Sequence, residues 1–223
     1  MTGGMVSGPM VTRARPAWRP MAIVAAVVLV PMLVIGMVHR PFPSDQTPKG
    51  AYMRVAQAVG QDDPRAFFAY LETEAQWACF TVRDMRAKAS TRIADSYPEP
   101  QRREMLAQYK SAAEAADGSD VFATLYRERG WARRLRKDLS GVAQVETEGE
   151  RASVVTAQGT RWPFRRRDNG IWGLTIFTAE LLAEAEKATR DLAVVAAAAD
   201  DYDRARAEGR PRGPDGALTP KLR

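Results

Sequence analysis

The chain has 223 residues, a formal net charge of +6, one histidine and one cysteine. That composition excludes an internal disulfide and any cysteine or histidine metal set, and it leaves no Ser/His/Asp arrangement away from His39. Residues 1–19 carry +3 and residues 204–223 carry +4, so 20–203 are left with −1 and lack the basic surface of a nucleic-acid binder.

Residues 1–19 read as a basic cytoplasmic tail with Arg13, Arg15 and Arg19 and no acidic residue. The run MAIVAAVVLVPMLVIGMV at 21–38 has no charge and would cover about 27 Å as a helix, close to a bilayer core. We therefore expect a transmembrane anchor over 20–39, with Pro31 tolerated inside it. Two alternatives are a cleaved secretory signal, with a mature N-terminus near Met37, and a buried core helix. The arginines before the run place the N-terminus inside and the rest of the chain outside. The expected layout is that of a single-pass bacterial inner-membrane protein whose C-terminal domain is periplasmic.

Residues 40–47 read as a linker, and 48–208 as one extracytoplasmic α+β domain. Thr47-Pro48 starts a helix that carries Tyr52, Val55, Ala56 and Val59 and ends at Gly60. Asp63-Pro64 starts a second, with Phe67, Phe68 and Leu71. A capping box of Thr73 with Gln76 opens a third, which carries Trp77, Phe80, Val82 and Met85 on its apolar face and stops before Tyr97-Pro98. Pro100 opens a fourth helix that exits at Gly118, and Ser119 or Asp120 caps a fifth that ends at Gly130. A further helical turn or two is expected over 131–139. Cys79 is expected to be a buried thiol among Trp77, Phe80 and Val82.

The period then changes from 3.6 to 2, predicting four strands at 142–147, 152–157, 161–167 and 171–177, joined as an antiparallel meander. Two registers compete in the last hairpin. A three-residue Asp168-Asn169-Gly170 loop sets Leu174 opposite Phe164 and gathers Trp162, Phe164, Trp172, Leu174 and Ile176 on one face. The two-residue loop scatters them, and a one-residue slip exchanges faces, so burial selects the longer loop. Thr178 caps a long final helix, where Leu181, Ala185, Ala188, Leu192, Val195, Ala199 and Tyr202 form a three-heptad seam. The seam is expected to pack on its own domain, with self-association through Leu181, Leu192, Val195 and Tyr202 as the alternative. Residues 209–223 read as a disordered tail.

There is no Gly-rich phosphate loop. Asp62-Asp63 precedes a proline and reads as helix capping rather than a catalytic pair, while Glu146, Glu148 and Glu150 read as a solvated edge. No cofactor is expected. Arg133, Arg134, Arg136 and Lys137 form one basic cluster, and Arg161, Arg165 and Arg167 lie on the outward face of one strand. Both are solvated charge by default, or contacts for anionic headgroups or an acidic partner.

The segments AVGQDDPRAFFAYL and ERASVVTAQGTRWPFRRRDNGIWGLTIF, spaced behind paired helices and a closing hairpin, are similar to nuclear transport factor 2-like (cystatin-like α+β) domains. That resemblance covers about residues 48–177 and implies a curved sheet wrapped around helices as a cone. The acid–base residues of its enzyme members have no matching positions here. The layout, an anchor with such a domain outside, also resembles the inner-membrane assembly component of type IV secretion systems. The expected function is a non-enzymatic interaction or assembly domain whose partners are the lipid bilayer and another protein or a second copy, with no nucleic acid. The alternative is a small-molecule binder or enzyme using the concave sheet face around Trp162, Phe164 and Trp172.

Overall fold

The computed structural model describes residues 42–209; the expected basic tail, the anchor at 20–39 and residues 210–223 lie outside them. No helix among the described residues is long and apolar enough to cross a membrane. Seven helices and four strands follow in the order α1 (Pro48–Gly60), α2 (Pro64–Phe68), α3 (Thr73–Ser96), α4 (Gln101–Ala113), α5 (Gly118–Glu128), α6 (Trp131–Asp138), β1 (Val142–Glu148), β2 (Arg151–Thr156), β3 (Arg161–Arg166), β4 (Trp172–Leu174) and α7 (Thr178–Ala207). The class is α+β with a long C-terminal helix, as the change of period predicts.

Local chemistry sets most helix starts. Thr47 accepts from the Gly50 N–H and Asp63 from the Ala66 N–H, each just before a proline at the first helical position. Three starts differ from expectation. Glu72 rather than Thr73 caps α3, without a side-chain bond, and Gln76 Nε2 instead donates to Phe68 O at 2.8 Å. Asp117 rather than Ser119 or Asp120 caps α5, accepting from both of their N–H groups, so Gly118 begins that helix instead of ending α4. Thr178 is the first residue of α7, and its hydroxyl donates to Glu72 instead of capping. The residues expected to be linker are bonded into the domain as well: the Trp172 N–H donates to Asp45 O at 3.2 Å and its Nε1 to Gln46 O at 3.1 Å.

The sheet runs β1-β2-β3-β4, all antiparallel. Leu174 lies opposite Phe164 and Trp172 opposite Arg166, which is the register of the three-residue loop. Gly170, at φ +81°, supplies the left-handed residue that this loop needs. The last strand stops at Leu174 instead of reaching Phe177, because the chain turns into α7 there, with the Thr178 N–H donating to Thr175 O at 3.1 Å.

The two edges of the sheet differ. Beyond β4, Leu71 forms a parallel bridge to Leu174, the Leu174 N–H donates to Tyr70 O at 2.7 Å and the Glu72 N–H to Leu174 O at 3.1 Å. The approach is so close that a Cβ on Gly173 would lie 2.6 Å from Glu72 Cα. On the other side β1 ends the sheet and, among the described residues, pairs with β2 alone.

Two hydrophobic clusters form. The larger joins the inner face of the sheet to α1, α2, α5, α6, the first half of α3 and the start of α7. The smaller comprises Ala89, Ile93, Tyr97, Tyr109, Val195 and Ala199, where the rest of α3 meets α4 and α7. Helices α3 and α7 run parallel: Glu72 meets Thr178, Arg86 meets Asp191 at 2.7 Å, and Ser96 donates to Asp203 at 2.8 Å. With α4 alongside, they form a three-helix arm. At 30 residues, α7 is about 45 Å long.

Candidate functional site

Trp162, Phe164 and Trp172, the expected ligand-facing rings, are 2%, 2% and 4% exposed. Alternation along β3 and β4 turns them inward, where helices cover the sheet. Trp162 meets Tyr52 edge to face with 5.4 Å between ring centroids, and Trp172 is held by the Asp45 and Gln46 carbonyls. They serve as core and present no concave ligand face. The neighbouring aromatic packing is equally dense, with Trp131 stacked on Phe177 at 4.1 Å.

The outward arginines are engaged within the chain. Arg161 pairs with Glu146, which draws the Glu146 carboxyl below its ordinary range. Arg165 lies 3.4 Å from Glu72 and 3.2 Å from Glu74. Arg167 donates to Ala69 O at 2.9 Å and to Gln76 Oε1 at 3.0 Å. All three cations thus have partners within the chain, while Arg161 and Arg165 keep 61% and 43% of their side chains exposed. In the other cluster, Arg136 lies 3.3 Å from Asp62 and Arg134 3.7 Å from Glu180.

The seam residues Leu181 and Val195 are 1% and 2% exposed, while Leu192 and Tyr202 are partly buried against the smaller cluster. Their partner is α3 of the same chain, as the self-packing expectation has it. The spacing is as expected; the opposing helix is not named by the spacing.

Cys79 is fully buried, and burial pushes its thiol up to about 12, which keeps it protonated and inert. Trp77, expected beside it, is 65% exposed, its ring tilted against Phe80 with 5.9 Å between centroids.

Sequence reasoning missed Glu72, a carboxylate only 4% exposed. It accepts the Thr178 hydroxyl and faces Arg165, tying the starts of α3 and α7 to β3. The segment Leu71-Glu72-Thr73 resembles any exposed helix start, so only the fold shows that this carboxylate is enclosed. Its donors are side chains of the scaffold, which makes it a clamp. Among the described residues no group of three or more His, Cys, Asp and Glu is placed to hold a metal ion.

Exposed surface offers further candidates for recognition. Besides Trp77, the exposed large apolar residues include Val194 and Leu182 on the outer side of α7, and Val145 on β1, at 70%, 40% and 37%. Near β1, Lys49, Tyr52, Met53 and Ala56 of α1 form an open groove of about 360 Å³ with residues 140–142. No protein-family model, curated protein or solved structure matches this chain.

Proposed function

We propose that this chain is a single-pass inner-membrane protein that presents a non-enzymatic interaction or assembly domain on the periplasmic side. The observation that carries the reading is the filled inner face of the sheet: Trp162, Phe164 and Trp172 close the space where a ligand chamber would lie. The same packing departs from an open nuclear transport factor 2-like cone, although helices stacked on one face of a four-stranded meander support kinship with that architecture. Apolar side chains are instead left outside, on α3, α7 and β1, where a partner could cover them. The uncharged run at 21–38 and the arginines before it support the anchoring and its direction.

The test has two arms. A reporter active only outside the cytoplasm, fused after Arg223, should give signal, and silence would overturn the topology. Photo-crosslinking residues placed at Trp77, Val145 and Val194 in membranes should give discrete protein adducts. A chain that yields none from all three positions would overturn the interaction reading.

A further inference from the structure

We propose that β1 pairs with β1 of a second copy, antiparallel about a two-fold axis at Val145, to join two four-stranded sheets into one of eight strands. This deepens the interaction reading, on which it rests, by naming the partner as the chain itself.

The argument begins with the asymmetry of the sheet. The β4 edge is closed by residues 70–72, whereas on the outer side of β1 no backbone bond is made among the described residues. Such edges are commonly blunted by proline, lysine or a bulge; β1 (VAQVETE) has neither proline nor lysine, and its bulge lies at the Val142 end, which leaves Gln144 to Glu148 regular. Its inner face is also poorly covered: Val145 lies opposite Val154, which is fully buried, yet Val145 itself is 37% exposed. The two-residue Gly149-Glu150 loop makes Glu148 and Arg151 the closing pair of the hairpin. Counting back by alternation, Thr147 and Val145 turn their N–H and C=O groups to the free edge.

Charge then selects the partner and the register. Opposed residues must share a face, so a two-fold axis has to pass through a residue. Through Glu146 it would set that carboxylate against its own copy, and through Thr147 it would set Glu146 against Glu148. Through Gln144 it would run the bulge between Val142 and Gln144 across the centre of the ladder. Through Val145 it sets Gln144 opposite Glu146, with no like charges facing, and the regular ladder ends at the bulge, beyond which Val142 turns inward opposite Thr156. Valine meets valine on the inner face, and Thr147 meets the small Ala143. Glu146, paired with Arg161 of its own chain, then faces the uncharged amide of Gln144. The same pairing leaves little attraction for a basic foreign peptide. The groove that Met53 and Ala56 form with residues 140–142 lies beside this edge, ready to receive inward side chains of an added strand.

The experiment uses the full chain in detergent. Cys79 is fully buried, so an introduced thiol is the only reactive one. In the proposed register V145C faces its own copy across a bonded pair about 5.5 Å apart at Cα, within the range for a disulfide. V194C is the control, since Val194 is the more exposed residue at 70% and chance collision in a micelle would link it faster. V145C is expected to link at least about tenfold faster than V194C, as fixed proximity does relative to collision. Light scattering should give a dimer for the parent and a monomer for Val145→Lys, with unchanged circular dichroism. A V145C rate no faster than V194C, a monomeric parent, or a Val145→Lys variant that stays dimeric would overturn the proposal. A monomer whose Val145 crosslinks run to another protein would overturn self-pairing and leave the interaction module standing.

Discussion

Replacing Gly173 by alanine tests the closure of the β4 edge. The added Cβ would lie 2.6 Å from Glu72 Cα, 2.8 Å from Glu72 N and 2.9 Å from Leu71 O. All three are backbone atoms, so no side chain can swing aside, and β4 must separate from residues 70–72. Overpacking of this kind costs about 1–3 kcal/mol. The separation also stretches the Leu174 N–H bond to Tyr70 and the Glu72 N–H bond to Leu174, each worth about 1 kcal/mol. We expect a loss of about 2–4 kcal/mol, which for a chain of this size lowers the melting temperature by about 5–12 °C. The assay is thermal unfolding of the full chain in detergent by circular dichroism. Gly141→Ala serves as the control, because its Cβ would meet nothing within 4 Å; it should stay within about 0.5 kcal/mol of the parent. If Gly173→Ala melts with the parent and the control, the chain before α3 does not seal β4, and the contrast between the two edges fails.

Arg86→Ala should cost about 2 kcal/mol, since it strands Asp191 and removes the guanidinium stacked 4.4 Å from the Tyr109 ring centroid; a melting curve within 1 °C of the parent would refute this. Double reversal of Arg165 and Arg167 to glutamate should lower the melting temperature, because their partners are Glu72, Glu74, Ala69 O and Gln76; unchanged stability would return them to the role of free surface cations. Cys79 should resist a thiol reagent at pH 8 in the folded protein and react fully on denaturation. Cys79 and Tyr126 both have folded values raised to about 12, from ordinary values of 9.0 and 10.0. The folded state therefore holds protons that the unfolded chain releases, and the stability these groups add is complete below pH 9 and declines as pH rises towards 12. A pH–stability curve that is flat from 9 to 12 would contradict the burial of both.

The Thr-Pro and Asp-Pro starts carried the order of the first helices, because caps and turns act within four residues. The register of the last hairpin was legible for a related reason: only one loop length puts Trp162, Phe164 and Leu174 on the same face. The misplaced caps show where that reasoning ends. Thr73 with Gln76 and Ser119 with Asp120 satisfy the local rules, yet the bond from Gln76 to Phe68 and the cap from Asp117 win because the surrounding chain fixes those geometries. Trp77 illustrates the same gap, since periodicity ranks it with the core while the position of α3 leaves it outside.

The sequence by itself determined the periodicities: a helical first half, a meander with its register, a heptad seam on the last helix, and an uncharged run behind three arginines. Each rests on interactions between near neighbours or on simple amphipathicity. Only the tertiary structure decided what those faces meet. It gave the seam to α3, enclosed Glu72 between Thr178 and Arg165, spent the outward arginines on internal carboxylates and carbonyls, and closed one edge of the sheet while leaving β1 open. Those outcomes depend on residues about a hundred positions apart, and pairing at that range is set by the packing of whole elements, which no local pattern encodes.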